Sequence, residues 1–416
     1  MARRGSQMCC LCLLAFGTAL SQSPQEVPFE DWLKVKDDAR IRWQLHVPPP
    51  RLSENQRLET FVGAFVDAGE FLKRGPLLVF LQIRDRENRP YRSYTPLVPE
   101  KGQNLAEADS INWVQQICVT PGDYEVAVAV YDTRSKEHSL KRTKLHVGEL
   151  PHDPLPGLWR DLTSVEFSNC VPVASERLSL PLKTQRPVRV DVLMNQSMNR
   201  NATGNNGATD RLTQKLGSRL VVLSEMQVSN GSLGVTLLDV ERRKVSFTEE
   251  VSGLVTLQRL WEQLGSEDRF KIDVHSLENY KEDAQFFVSE IRKRLEAAEP
   301  AAAARAVIVL SGPFALPKGE DLQPIEATAP PGSRLYYIRC YAPFYARGGS
   351  GEFSGRGGMR GAPARGPMMR SAPVVDNSDS LEGTLKPLNP RLFDVTTPAE
   401  FRNALAAIMN EIAQQK

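Results

Sequence analysis

The chain has 416 residues, enough for two domains of ordinary size. At 41% hydrophobic and 25% charged it has the composition of a globular protein, which excludes a disordered or multiply membrane-spanning chain. Lys and Arg number 52 against 50 Asp and Glu, and because Arg3 and Arg4 stand in the first 21 residues, which hold no acid, the remainder is balanced; this argues against a dedicated polyanion binder.

Arg3 and Arg4 precede an apolar run from Met8 to Leu20, and Ala19 and Ser21 stand three and one residues before a cleavage site at Gln22. This is the layout of a secretory signal peptide over residues 1–21. The run is shorter than the roughly 20 apolar residues that span a hydrocarbon core, so an uncleaved anchor is the weaker alternative. Residues 22–40 read as a linker. Cys9, Cys10 and Cys12 leave with the signal, and Cys118, Cys170 and Cys340 remain. They allow one bridge and one free thiol, for which Cys118 with Cys170 is the best-placed pair, or three separately buried thiols.

From Ile41 to Val147 the apolar pattern is that of strands. Phe61–Phe65, Leu77–Ile83, Trp113–Val119 and Tyr124–Tyr131 are rich in Val, Ile, Phe and Tyr, with alternation at Tyr124, Val126, Val128 and Val130. Pro121-Gly122-Asp123 supplies a turn before the best of them. Short strands without a convincing helix between them predict an all-β sandwich, and the order PGDYEVAVAVYDTRS then LKRTKLHV reads as the last hairpin of an immunoglobulin-like module. Residues 148–177, with four prolines, read as a linker that includes a short strand at Val165–Phe167.

From Leu178 strands alternate with helices, the signature of a mostly parallel sheet covered on both faces, a doubly wound α/β domain over residues 178–416. A strand through Val188, Val190 and Val192 leads to a helix from about Thr209 to Glu225, then a hairpin, GVTLLDV and KVSF, turned at Glu241–Arg243. A helix with Leu257, Leu260, Trp261 and Leu264 follows, and a longer one over Leu277–Ala297. AVIVL at Ala306–Leu310 has the continuous apolar character of a buried central strand, and Leu335–Ile338 is another. Leu392–Val395 is the last. Thr397, Pro398 and Glu400 mark the start of a terminal helix with a capping box, and its buried stripe is Phe401, Leu405, Ile408 and Ile412.

This succession resembles a von Willebrand factor A-type domain over about Pro187–Gln414, with RPVRVDVLMNQSM similar to the opening strand and loop and LFDVTTPAEFRNALAAIMNEI to the close. With the sandwich and the export signal, the chain resembles the secreted von Willebrand factor A-related proteins of the acidobacterial type. Metal-binding members of that family place D-x-S-x-S after the first strand, hard oxygen ligands for Mg²⁺. Here the aspartate position is Leu193, the first serine position is Asn195, and Ser197 alone survives. The second aspartate of the family pattern is replaced by Gly312 in LSGP. The resemblance therefore implies a degenerate site with no metal and no cofactor.

Residues 347–372 interrupt this domain with five arginines against Glu352, among glycines and a lone aromatic, Phe353. GRGGMRG resembles arginine–glycine segments that bind RNA, but an exported chain rarely meets RNA, so no nucleic-acid partner is expected. The tract reads as a disordered loop insertion, with contact to acidic polysaccharide or lipid head groups as a further option.

The five histidines form no H-x-x-x-H or H-E-x-x-H arrangement, and no G-x-S-x-G elbow or phosphate-binding G-x-x-x-x-G-K-[ST] loop occurs. No catalytic residue is assigned. The expectation is an exported, secreted or periplasmic, non-enzymatic protein that binds a protein or cell-envelope component at the carboxyl ends of the parallel strands, where such sheets bind ligands. Asn195, Ser197 and Ser311 are the expected hydrogen-bonding groups there, and Tyr341, Phe344 and Tyr345 the expected aromatic anchors. The alternative is a hydrolase-like α/β enzyme drawing on Ser197, Ser311 and His275, which no spacing links.

Overall fold

The computed structural model describes residues 28–34, 40–99, 104–106, 109–167, 176–197, 206–264, 279–297, 304–314, 322, 324–325, 329–341 and 379–415. The signal segment, Cys170, the arginine–glycine tract, Phe344, Tyr345 and His275 lie outside these residues. Among the described residues no helix is long and apolar enough to cross a membrane. The architecture is mixed α/β, with several sheets.

The first region contains two antiparallel sheets. One is formed by β1 (Trp43–His46), β2 (Arg51–Leu52), β3 (Leu58–Asp67), β6 (Ser110–Val119) and β9 (Val165–Phe167), in the order β1-β3-β6-β9 with β2 beside β3. The other contains β4 (Leu77–Arg84), β5 (Pro90–Pro96), β7 (Gly122–Asp132) and β8 (His138–Val147), in the order β5-β4-β7-β8. Period-two alternation puts Val62, Ala64 and Val66 of one sheet, and Val79, Leu81, Val126 and Val128 of the other, into a single core. The strand expected at Val165–Phe167 pairs antiparallel with Ile117–Val119. Two short helices stand where none was expected. They are α1 (Phe29–Trp32), ahead of the strands, and α2 (Ala68–Lys73), which joins β3 to β4. The latter is a turn and a half whose cap is Asp67, accepting the Glu70 amide at 3.0 Å; six residues are too few for helical periodicity to register.

The second region centres on a six-stranded sheet ordered β14-β13-β11-β15-β16-β17, comprising β11 (Val188–Asn195), β13 (Gly231–Asp239), β14 (Lys244–Glu250), β15 (Ala304–Ser311), β16 (Ser333–Cys340) and β17 (Arg391–Val395). All pairings are parallel except that of the edge strand β14. All eight residues of β15 are buried, as its unbroken apolar run requires. On one face Val190, Val192, Ile308 and Leu310 share a cluster with residues of α3 (Asn206–Ser224), α4 (Leu254–Leu264) and α7 (Pro398–Ala413). On the other, Leu193, Val307, Val309 and Tyr337 pack with residues of α5 (Tyr280–Glu296) and α6 (Ser380–Leu385). Gly231 opens β13 at φ +141°, with the Val188 carbonyl oxygen 1.8 Å from where a Cβ would stand, so only glycine fits there. The capping box of α7 is formed. The Thr397 hydroxyl accepts the Glu400 amide at 3.2 Å, and the Glu400 carboxylate accepts the Thr397 amide at 2.9 Å.

Two three-residue strands, β10 (Leu180–Leu182) and β12 (Met226–Val228), pair parallel between the regions. The hydrophobic cluster of the first region continues through Leu158, Trp159, Leu178 and Leu180 into the six-stranded sheet. Polar contacts reinforce this joint. The Trp159 indole donates to the Gln56 carbonyl at 2.7 Å, and the Gln56 side-chain amide to the Pro398 carbonyl at 3.0 Å. Arg219, with no exposed surface, donates to Glu54 at 2.9 Å. Arg402 grips Asp153 through two nitrogens at 2.6 and 2.7 Å and lies over the Trp159 ring.

Candidate functional site

The carboxyl ends of the parallel strands bring together residues from separate loops. Asn195 ends β11, and its Nδ2 donates to Ser311 Oγ, at the end of β15, over 3.2 Å. Ser311 Oγ donates in turn to the Gly312 carbonyl at 2.8 Å. Asn195 Oδ1 accepts the Ser197 amide at 3.0 Å. Ser197 Oγ accepts the Glu241 amide at 3.0 Å and lies 3.5 Å from Asp239 Oδ1. Three expected residues, Asn195, Ser197 and Ser311, thus converge, and the carboxylate that joins them is Asp239 at the end of β13. Sequence reasoning missed Asp239. The signal was local: an aspartate opening the turn of a hairpin accepts amides two or three residues on, and Asp239 accepts both the Arg242 amide and its guanidinium at 3.2 Å.

This network holds its own donors and acceptors. Ser311 has no exposed surface, and its proton lies on a neighbouring carbonyl, whereas a nucleophilic hydroxyl needs a base within hydrogen-bond reach. Leu193, at the expected carboxylate position, has no exposed surface and packs toward α5 and α6. Asp191, two residues earlier, is buried and bonded to Arg189 at 3.1 Å.

Tyr341 belongs to a second cluster on the same edge. Its hydroxyl donates to Asp394 Oδ1 at 3.2 Å, and its amide to the Val395 carbonyl. Arg339, at the end of β16, grips Asp394 through two nitrogens at 2.7 and 2.9 Å and reaches Glu382 at 2.5 Å. Asp379 lies 3.9 Å from the same guanidinium, wholly buried, and accepts the Phe314 and Leu381 amides. Burial pushes the Asp379 carboxyl up and the Tyr337 hydroxyl well up. Burial and then the Asp394 carboxylate raise Tyr341 to about 12. Burial opposes the charge on Arg339, but Asp394 and Glu382 overcome it and hold the guanidinium protonated. Among the described residues three acidic side chains surround this one cation, with Asp394 and Glu382 more than half exposed.

No protein-family model matches the chain, and no curated protein matches it. Among solved structures, the ArnB paralog VWA2 of Sulfolobus acidocaldarius is similar over 69% of this chain and 49% of that one, at 12% identity and a TM-score of 0.26. A family 76 glycoside hydrolase from a bovine Bacteroides thetaiotaomicron strain is similar over 28% and 24%, at 15% identity and 0.18. A β-glucuronidase of Parabacteroides merdae is similar over 64% and 34%, at 10% identity and 0.19. The chain spans less than half the length of each of these structures, and likenesses of this size decide neither fold family nor activity.

Proposed function

We propose that the chain is an exported, non-enzymatic interaction protein. In this reading an immunoglobulin-like sandwich carries a doubly wound, von Willebrand factor A-like domain that binds a protein or cell-envelope partner without a metal ion. The observation that supports it best is the position of Leu193, whose side chain lies in the hydrophobic layer under α5 and α6 where a metal-binding relative would present a carboxylate to the loop. Ser311 adds to this, since its hydroxyl is engaged by Asn195 and Gly312, with no base among its hydrogen-bond partners in the described residues. The partner meets the strand ends, where the ion-paired Arg339 cluster and Tyr341 provide charged groups and an aromatic anchor. Two experiments test the reading. Calorimetric titration with Mg²⁺ or Mn²⁺ should give no saturable heat, and a stoichiometric isotherm would overturn it. Capture from envelope extract with Tyr341→Ala/Phe344→Ala should lose partners that the wild type retains, and an unchanged set would count against this edge.

A further inference from the structure

One part of the outer face of the β5-β4-β7-β8 sheet, around Phe80, Ala129 and Leu140, is apolar where an exposed sheet face is ordinarily polar. In VAVAVY the inward positions Val126, Val128 and Val130 alternate with Ala127 and Ala129, and both alanines are buried in a cluster of their own with Tyr131 and Leu140. The register sets Phe80 opposite Tyr94 on one side and Ala129 on the other, with Leu140 beyond. Tyr131 stands opposite His138. Two small side chains at mid-sheet, rimmed by aromatic rings, leave a shallow seat.

The chain's own α1 fills it. Phe29 stacks on Phe80 at 5.6 Å between centroids, and Trp32 stacks on His138 at 4.2 Å and meets Tyr131 at 5.2 Å. Both rings are over nine-tenths buried. Between them Glu30 pairs with Arg92 and lies 3.9 Å from Arg84, and the Leu33 carbonyl accepts Arg142 at 2.5 Å. A segment of four residues, too short to be a stable helix alone, is thus read at two aromatic positions, one acidic position and one carbonyl. The aromatic row continues past it: Tyr94 stacks on Phe80 at 6.1 Å yet is 72% exposed.

We propose that this face is a recognition surface for a peptide segment of another protein carrying two aromatic residues around an acidic one. The Phe29–Trp32 strap holds it in cis, and a longer segment displaces the strap by adding contact with Tyr94. This surface is distinct from the strand-end edge and does not depend on that edge having a partner. A tethered strap competes at an effective concentration of about millimolar, so trans binding is masked until the strap is weakened.

The test uses the full chain as Phe29→Ala/Trp32→Ala and a fluorescent synthetic peptide of residues 26–34. Anisotropy should show saturable binding to the double variant and at least tenfold weaker binding to wild type. Adding Ala129→Arg to the double variant, or changing Trp32 to Ala in the peptide, should abolish it. Equal binding to wild type and double variant, or none to a folded double variant, overturns the proposal. Should the double variant not fold, hydrogen exchange of the Trp32 indole in unmodified protein decides. Exchange through local opening that urea does not accelerate supports a displaceable strap, and exchange sharing the urea dependence of the β7 amides overturns it. Concentration-dependent wild-type dimers that Trp32→Ala removes would overturn the assignment to another protein, in favour of exchange between copies.

Discussion

Glu225 follows the end of α3 and is only 4% exposed at the joint between the two regions. Its carboxyl accepts the Leu178 amide at 2.6 Å. Arg57 and Arg177 favour its ionised form and Glu166 disfavours it, but burial outweighs all of these and raises its pKa from 4.5 to about 7. The folded state therefore binds this proton more tightly than the unfolded chain does. The stability associated with it is fully present below pH 4.5 and is lost as pH rises through about 7. At about 1.4 kcal/mol per pH unit of separation, ionising Glu225 in place costs about 3 kcal/mol at pH 8. Glu225→Gln removes the charge and keeps a carbonyl to accept the Leu178 amide. Urea unfolding of both proteins, followed by tryptophan fluorescence at steps from below pH 4 to pH 9, isolates the residue, because other titrating groups cancel in the difference. Relative to their difference below pH 4, the Gln variant should gain about 1 kcal/mol by pH 5 and about 3 kcal/mol by pH 8. A flat difference would refute the reasoning. So would wild type gaining on the variant as pH rises, because that would mean Arg57 and Arg177 dominate and the carboxylate is ionised in the fold.

Removing Glu54 as alanine leaves Arg219, which has no exposed surface, without its counter-ion, and should cost about 3–5 kcal/mol in the same urea assay. Asp153→Ala should act similarly on Arg402, and a loss below about 1 kcal/mol in both would show that water reaches the joint. Gly231→Ala forces a Cβ to within 1.8 Å of the Val188 carbonyl oxygen and should lower the yield of folded protein. Circular dichroism and thermal melting check this, and an unchanged melting temperature would contradict the close approach of β13 to β11.

Much of the fold was legible because its signals are periodic or local. The continuous apolar run of β15, the alternation in β7 and the Thr397–Glu400 capping box each state their structure within a few residues. The elements that escaped lack those signals. Strand β5, PYRSYTP, is bounded by prolines and alternates between exposed and half-exposed positions at the sheet edge, so no apolar face marks it. Strands β10 and β12 have three residues each, and α6 has six. Of the strand-end groups, Asn195, Ser197 and Ser311 could be placed because each follows a strand, whereas Asp239 read as one more charge in a hairpin turn. The Ala127 and Ala129 positions did carry a signal, an apolar residue on each outward step of β7 from Ala127 to Tyr131, which implies a cover that periodicity alone could not locate.

The joint was the least legible feature, for a physical reason. Glu54, Asp153, Arg219 and Arg402 are the residue types that sequence reading assigns to solvated faces, and each is buried or nearly so by a partner more than a hundred residues away in the chain. Such pairs add little net stability over well-packed apolar residues, yet they are strongly destabilising when half-removed. What they fix is orientation. A guanidinium that grips both oxygens of Asp153 while lying on Trp159 admits one arrangement of α7 against the 153–159 segment, and Glu54 does the same for α3 against the β2–β3 turn. Helices α3 and α7 both cover the same face of the six-stranded sheet, so these two ion pairs set the angle at which the strand-end edge stands to the first region. If that angle matters for partner binding, replacing Glu54 and Arg219 together by apolar residues of similar size should leave stability within about 1–2 kcal/mol of wild type while changing what the edge captures. A double variant that is equally stable and captures the same partners would show that the pair contributes only to packing.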